Sequence, residues 1–98
     1  MKIEKNLQGS ELAVALTGRL DTASAPEFEA IVKNELGGVT VFVLDLKNLQ
    51  YTSSAGLRTI LLAQKTMNKQ GELIIKNVCE AVMEVFEMTG LSDLLTIE

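Results

Sequence analysis

The chain has 98 residues, 47% of them hydrophobic, with one proline and no histidine. Its net charge of −4 and pI near 4.8 exclude a nucleic-acid surface, because phosphate binding requires clustered lysine and arginine. The length is enough to bury one core without disulfides or metals, so we expect residues 1–98 to form a single domain.

The features that report on cellular location predict a cytoplasmic protein. A single cysteine, Cys79, cannot form a disulfide within the chain. The longest apolar runs, such as Val39 to Leu44, are far shorter than the roughly 20 residues of a membrane span. Met1 to Gln8 mixes charged and apolar residues and does not resemble a signal peptide.

The first elements read as a hairpin. Lys2 to Leu7 is a short strand candidate, and Gln8-Gly9-Ser10 supplies turn residues. Large apolar residues then alternate with small ones from Leu12 onward, which predicts a strand closely covered by a helix on one face. We expect this second strand to end at Gly18.

A loop from Arg19 to Ala23 leads into the first predicted helix. Ser24 to Glu27 has the S-x-x-E form of a capping box, with proline in the first turn. An apolar stripe at helical spacing follows, formed by Phe28, Ile31, Val32 and Leu36. Gly37-Gly38 favours helix termination at that point.

Val39 to Leu46 is apolar on both alternating sets apart from Thr40 and Asp45, which is typical of a strand buried on both faces of a parallel sheet. A loop is predicted over Lys47 to Ser53. The second helix follows it and stops at Gln70-Gly71.

The last third of the chain contains shorter elements. Leu73 to Ile75 is predicted as a core strand. Asn77 to Glu80 reads as a second capping box that opens a third helix, which ends at Thr89-Gly90. Leu94 to Ile97 is predicted as a short edge strand.

The predicted fold is therefore α/β, with the order β-β-α-β-α-β-α-β and a mixed, mostly parallel five-stranded sheet with three or four helices. Helical crossovers join parallel strands, and the loops after those strands emerge at one edge of the sheet, where α/β proteins place their sites. We therefore expect Asp21-Thr22, Ser53-Ser54 and Asn77 to lie at one end of the molecule.

The residue types exclude most catalytic chemistry, so we expect neither an enzyme nor a metal or other cofactor. Without histidine the commonest general base and zinc ligand are missing, and one cysteine cannot form a thiolate cage. The segment TSSAG is not a nucleophile elbow, and no phosphate-binding glycine loop is present. A serine at a helix start, such as Ser53 or Ser54, can be a structural cap, a phosphorylation site, or both.

Four segments carry a resemblance to the STAS domain of anti-sigma factor antagonists. They are GRLDTASAPEFEAIV (Gly18 to Val32), VFVLDLKNLQYTSSAGLRTILLA (Val41 to Ala63), GELIIKNV (Gly71 to Val78) and VFEMTGL (Val85 to Leu91). They extend over nearly the whole chain in the order of the family. The resemblance implies a STAS-like fold.

The resemblance also implies a regulator in a bacterial partner-switching pathway. Members of this family bind an anti-sigma factor, usually a serine kinase, and so free a sigma factor. That kinase phosphorylates a serine at the start of the second helix, and a metal-dependent serine phosphatase removes the phosphate. The other hypothesis is a STAS scaffold or transport-accessory subunit that binds protein, lipid or nucleotide without phosphorylation.

Aligning Gly56-Leu57 with the family's Gly-Leu implies Ser54 as the phosphoacceptor. Many members have an aspartate where this chain has Ser53, which makes Ser53 the alternative acceptor. Asp21 matches an aspartate that lies beside the phosphoacceptor in the family. The implied partner-binding residues are Asp21, Thr22, Ser53, Ser54, Ala55, Gly56, Leu57 and Arg58.

Overall fold

The computed structural model describes the whole chain, from Met1 to Glu98, and contains the predicted elements in the predicted order. The elements are β1 (Lys2–Gln8), β2 (Glu11–Leu20), α1 (Ala25–Asn34), β3 (Val41–Thr52), α2 (Ser54–Asn68), β4 (Glu72–Lys76), α3 (Glu80–Met88) and β5 (Thr96–Ile97). A short 3₁₀ turn, Leu91–Asp93, lies between α3 and β5.

The five strands form one sheet in the order β1-β2-β3-β4-β5. The β1–β2 pair is antiparallel and every other pair is parallel, which confirms the predicted mixed sheet. Each helix connects two neighbouring parallel strands, the strands are added in one direction, and connections of this kind are right-handed as a rule. All three helices therefore cover the same face of the sheet.

The core lies between the helices and that face. Alternate residues of β2, β3 and β4 point into it, and Phe28 of α1 and Phe86 of α3 are fully buried there. The buried apolar strand residues are Leu12, Val14, Leu16, Leu20, Phe42, Leu44, Leu46, Leu49, Leu73 and Ile75. The core is therefore mainly aliphatic, as the composition indicates.

The prediction that the central strand is buried on both faces is wrong. Phe42, Leu44 and Leu46 are buried, but Val41 and Val43 on the other face are only half-buried. No helix covers that second face, because all three crossovers run on the same side. The consecutive apolar residues Val41 to Leu44 therefore do not indicate two covered faces here.

The prediction of a loop from Lys47 to Ser53 is also wrong, because β3 continues to Thr52 and β2 continues past Gly18 to Leu20. The two extensions pair with each other, so that Leu20 lies beside Thr52. The ladder shifts register at Gly18, whose φ of +102° is accessible to glycine. Lys47, Asn48 and Gln50 of this segment are exposed, while the pairing with β2 satisfies backbone hydrogen bonds.

The predicted caps and ends also differ in detail. The residue that caps α3 is Cys79 rather than Asn77, which has a φ of +60° and whose side chain bonds to Asp45 instead. Helix α1 ends at Asn34, before Gly37-Gly38. Strand β5 is limited to Thr96–Ile97, because the 3₁₀ turn occupies the residues before it.

Candidate functional site

The paired ends of β2 and β3 bring two loops together at one edge of the sheet. The backbone N–H of Ser53 donates to the carbonyl of Leu20 at 2.9 Å, so the loop that starts at Asp21 and the start of α2 are neighbours. The expected proximity of Asp21-Thr22 and Ser53-Ser54 is therefore confirmed.

Asn77 does not join these two loops, so this part of the prediction is wrong. Strand β4 ends beside Asp45, and β3 continues seven residues further to Thr52, which is about 20 Å along an extended strand. The amide of Asn77 donates to the Asp45 carboxylate at 3.1 Å. The same carboxylate also accepts the N–H of Lys47 at 3.0 Å. Asp45 therefore ties the loop after β4 to β3 through its bond with Asn77.

Asp21 organises the turn that enters α1. Its carboxylate accepts the backbone N–H groups of Ala23 and Ser24, each at 3.1 Å. These bonds to the charged form, with that to the Ser24 backbone the largest contributor, lower the pKa of Asp21 below its ordinary value of 3.8. Asp21 is therefore an ionised carboxylate fixed at the surface.

The predicted capping box at Ser24 is absent, because its hydroxyl is already engaged. The Ser24 Oγ accepts the N–H of Asp21 at 2.9 Å and lies 2.8 Å from the carbonyl oxygen of Arg19. Ser24 makes no side-chain cap bond to α1. The carboxylate of Asp21 accepts the backbone N–H of Ser24, which the side chain of Glu27 would accept in a capping box.

The two serines at the start of α2 have different environments. Ser53 is the N-cap residue, half-buried and extended, and its Oγ lies 3.5 Å from the N–H of Gly56. Ser54 is the first residue of the helix and is exposed, and its hydroxyl makes no hydrogen bond within the chain. The cap and the accessible hydroxyl therefore belong to different residues.

Gly56 allows α2 to approach the sheet closely. A Cβ at this position would meet the hydroxyl of Thr52 and would lie 2.7 Å from Cγ of Leu20. Gly56 and Leu57 are both buried, whereas Ala55 is half-buried and Arg58 is exposed. Gly56 and Leu57 therefore shape the site by fixing the position of the helix.

A groove of about 260 Å³ runs between α1 and α2, directly beside the helix start. Its residues are Thr22, Ala25, Pro26, Glu29, Ala55, Arg58 and Thr59. A carboxylate and a guanidinium thus line the same groove, from opposite helices. The sequence prediction included Thr22, Ala55 and Arg58. It missed Thr59 of α2 and the three α1 residues, because helical spacing alone does not show which helices are neighbours.

The structure adds an exposed pair that the sequence prediction missed. Arg19 stacks over the ring of Tyr51, with 4.0 Å between the guanidinium carbon and the ring centroid. The Nε of Arg19 also lies 4.0 Å from a carboxylate oxygen of Asp21. Arginine and tyrosine are frequent binding residues in protein interfaces. Arg19 and Tyr51 are paired in register on β2 and β3, but both residues lie in segments that the sequence predicted as loops.

The chain has no group of three or more His, Cys, Asp and Glu side chains that could hold a metal ion. None of its helices combines the length and the apolar character needed to cross a membrane. The edge instead offers a fixed carboxylate, an exposed hydroxyl, a shallow groove and a stacked arginine. This set of groups suits a small α/β domain that recognises another protein.

The chain matches a known domain family over almost its whole length. The family model described as the STAS domain matches residues 2–98, so the chain belongs to the STAS domain family. The family resemblance carried by the four sequence segments is thereby confirmed.

Two relatives align over 99% of this chain. A Bordetella bronchiseptica protein, BtrV, provisionally named an anti-sigma factor antagonist, is 35% identical, and the alignment covers 85% of its length. The anti-sigma-B factor antagonist of Staphylococcus aureus is 30% identical, and the alignment covers 92% of its length.

Solved structures share the fold. An anti-sigma factor antagonist from Mycobacterium paratuberculosis aligns with a TM-score of 0.87 and 18% identity, over 98% of this chain and 83% of that one. The anti-sigma factor antagonist SpoIIAA in its unphosphorylated form aligns with a TM-score of 0.79 and 17% identity, over 99% and 87% of the two chains. The predicted STAS-like fold is confirmed.

Proposed function

We propose that this chain is an anti-sigma factor antagonist in a bacterial partner-switching pathway. Its unphosphorylated form binds an anti-sigma factor that is also a serine kinase, and this binding frees the sigma factor. Support comes from the family membership and from the names of its relatives. The domain is the substrate and the ligand of its partner and does no chemistry itself.

The observation that carries the proposal is the environment of Ser54. Its hydroxyl is exposed and unbonded at the first position of α2, where a kinase can reach it without disturbing the fold. Ser53, the alternative acceptor, is half-buried and caps the helix. Phosphorylation of Ser53 would break this cap, so Ser54 is the acceptor that we propose.

A phosphate on Ser54 is compatible with the fold. It adds about −1.5 to −2 charges at a helix N-terminus, where the helix dipole favours negative charge. Arg58 lies four residues further along α2, the spacing at which an acidic and a basic side chain attract each other on a helix. We therefore expect the phosphorylated domain to remain folded.

The same phosphate weakens binding to the partner. An unphosphorylated Ser54 and the neighbouring groove can be covered by a protein surface, but a phosphate there must be desolvated or must repel acidic groups. A loss of about 1.4 kcal/mol already lowers affinity tenfold. The proposed contact surface comprises Asp21, Thr22, Ser53, Ser54, Ala55 and Arg58 around the groove, with Gly56 and Leu57 beneath it.

The remaining step of the cycle is dephosphorylation. A metal-dependent serine phosphatase would remove the phosphate and restore binding. The exposed position of Ser54 gives such an enzyme access as well.

Incubation with the anti-sigma factor kinase and ATP, followed by peptide mass spectrometry, tests the assignment. We expect one phosphate on Ser54 in the wild type, none in Ser54→Ala, and a normal level in the matched control Ser53→Ala. Equal phosphorylation of Ser54→Ala and wild type would move the acceptor to another residue. A wild type that takes up no phosphate would contradict the switch.

A further inference from the structure

We propose that the sheet face that no helix covers, here called the open face, binds a second copy of this chain in a symmetric dimer. Its centre is formed by Ala13, Ala15, Val41, Val43 and Ile74, all half-buried with no element over them. The face lies opposite the helical layer that carries the start of α2. Self-association there leaves the partner surface free.

The open face has a trough beside a ridge. The trough follows β2, whose outward residues Ala13 and Ala15 are small, and a depression of about 220 Å³ lies over it. The ridge follows β3, where Val43 stands in register beside Ala13. A flat partner would leave the trough empty, whereas a second sheet with its own ridge can fill it.

Charges lie at the two sides of the same face. The strand register places Glu4 of β1 in one row with Ala15, Asp45 and Lys76 of β4. Glu4 has only an exposed ion pair to Lys2, at 3.7 Å, and Lys76 has no ion pair within the chain. Glu4 and Lys76 thus carry opposite charges on the two outer strands at equal height. The Asp45 carboxylate between them is engaged within the chain, because it accepts the N–H of Lys47 and the amide of Asn77.

One symmetry operation satisfies both features. A two-fold axis parallel to the strands, between β2 and β3, puts β1 of one copy over β4 of the other and β2 over β3. The Val43 ridge of each copy then enters the alanine trough of the other, and Glu4 faces Lys76 twice. This self-complementarity is what a two-fold interface requires, and aligned sheets pack about 10 Å apart.

The interface is small, so the dimer is weak. Four neighbouring strands are about 20 Å wide, and the footprint stays well below the roughly 800 Å² per partner of a standard stable interface. We expect dissociation constants on the order of 0.1 mM.

Sedimentation equilibrium of the full chain from 20 µM to 1 mM tests the proposal. We expect a monomer–dimer equilibrium that Glu4→Lys or Lys76→Glu weakens by about tenfold or more, because each change creates two like-charge contacts. Glu87→Lys, an equal charge change on α3 away from the open face, is the matched control and should dimerise more tightly than Glu4→Lys. Urea unfolding of each variant verifies that the monomer is intact.

The double variant Glu4→Lys with Lys76→Glu decides the geometry. We expect it to recover the wild-type dissociation constant to within about threefold, because the swapped charges again face each other. A protein that is monomeric at 1 mM overturns the proposal. A different outcome would overturn this packing: Glu72→Lys, and not Glu4→Lys, restores dimerisation of the Lys76→Glu variant. Residues 72 and 76 of β4 face each other only if the strands of the two copies run in opposite directions.

Discussion

At the residue scale, the position of α2 depends on residue 56 having no side chain. The helix start lies so close to β2 and β3 that a Cβ would clash with Thr52 and Leu20. Glycine in a helix normally costs about 1 kcal/mol relative to alanine. At residue 56 the clash outweighs the helix propensity that alanine would add, because Thr52 and Leu20 are both buried and have little room to move.

We therefore expect Gly56→Ala to lower the free energy of unfolding by about 1–3 kcal/mol, measured by urea denaturation. Gly37→Ala is the matched control, since nothing lies within 4 Å of a Cβ there and its backbone is not in the left-handed region. The control should be neutral or slightly stabilising. An unchanged stability of Gly56→Ala would mean that α2 can shift away from the sheet.

Asp21 makes a pH-dependent contribution to stability. Its pKa is lower in the folded state than its ordinary value of 3.8, mainly through the bond from the Ser24 backbone, so the folded state favours the charged carboxylate. The resulting stabilisation is complete above that ordinary value and is lost as the pH falls through the folded-state pKa.

We expect Asp21→Asn to be less stable than wild type at pH 7 and the difference to shrink as the pH falls from about 5 to below the pKa of the folded state. Urea unfolding at several pH values measures this. Asp93→Asn, which removes an exposed carboxylate from the 3₁₀ turn, controls for the loss of one charge. A difference that is constant with pH would assign the effect to the shape of the turn.

At the element scale, the start of α2 divides capping and accessibility between two adjacent serines. Ser53→Ala removes the side-chain cap, and we expect it to lower the free energy of unfolding by about 0.5–1 kcal/mol, because the capping distance of 3.5 Å is long. Ser54→Ala should leave stability unchanged or slightly higher, since alanine favours the helix. Thermal unfolding of both variants measures this, and equal destabilisation would contradict the division.

The elements also show what the sequence could and could not predict. Periodicity found all eight regular elements and their order, because the buried stripes of α1 and the alternation of β2 are imposed by one apolar core. It failed at Lys47–Thr52, where polar side chains conceal a strand whose backbone pairs with the end of β2. It also failed at Ser24, whose hydroxyl bonds within the preceding turn to Asp21 and Arg19, and at Asn77, whose amide bonds to Asp45 of another strand.

The candidate site could be predicted only in part, because strand order fixes which loops meet but not the environment of each side chain. The order of the strands places the loops of Asp21 and Ser53 at one edge of the sheet. A serine at the start of a helix is also expected to cap it. The distinction between Ser53 and Ser54 required the backbone geometry of the cap. The stack of Arg19 on Tyr51 required the strand extension that the polar sequence concealed.

At the scale of the whole molecule, the two sides of the sheet have different proposed roles. The helical side carries the exposed Ser54 and the groove between α1 and α2, and the open face offers a self-complementary surface. A phosphate on Ser54 would therefore alter partner binding without altering the core or the open face. The switch acts through charge at a surface, and the fold stays the same.

Isothermal titration calorimetry of the anti-sigma factor with the unphosphorylated and the Ser54-phosphorylated protein measures whether phosphorylation of Ser54 switches binding off. We expect phosphorylation to lower the affinity at least about tenfold, a change of about 1.4 kcal/mol or more in the free energy of binding, while circular dichroism shows an unchanged fold. Ser53→Ala, unphosphorylated, is the control and should bind more tightly than the phosphorylated protein. Equal affinities of the unphosphorylated and phosphorylated proteins would show that a phosphate on Ser54 is not the switch.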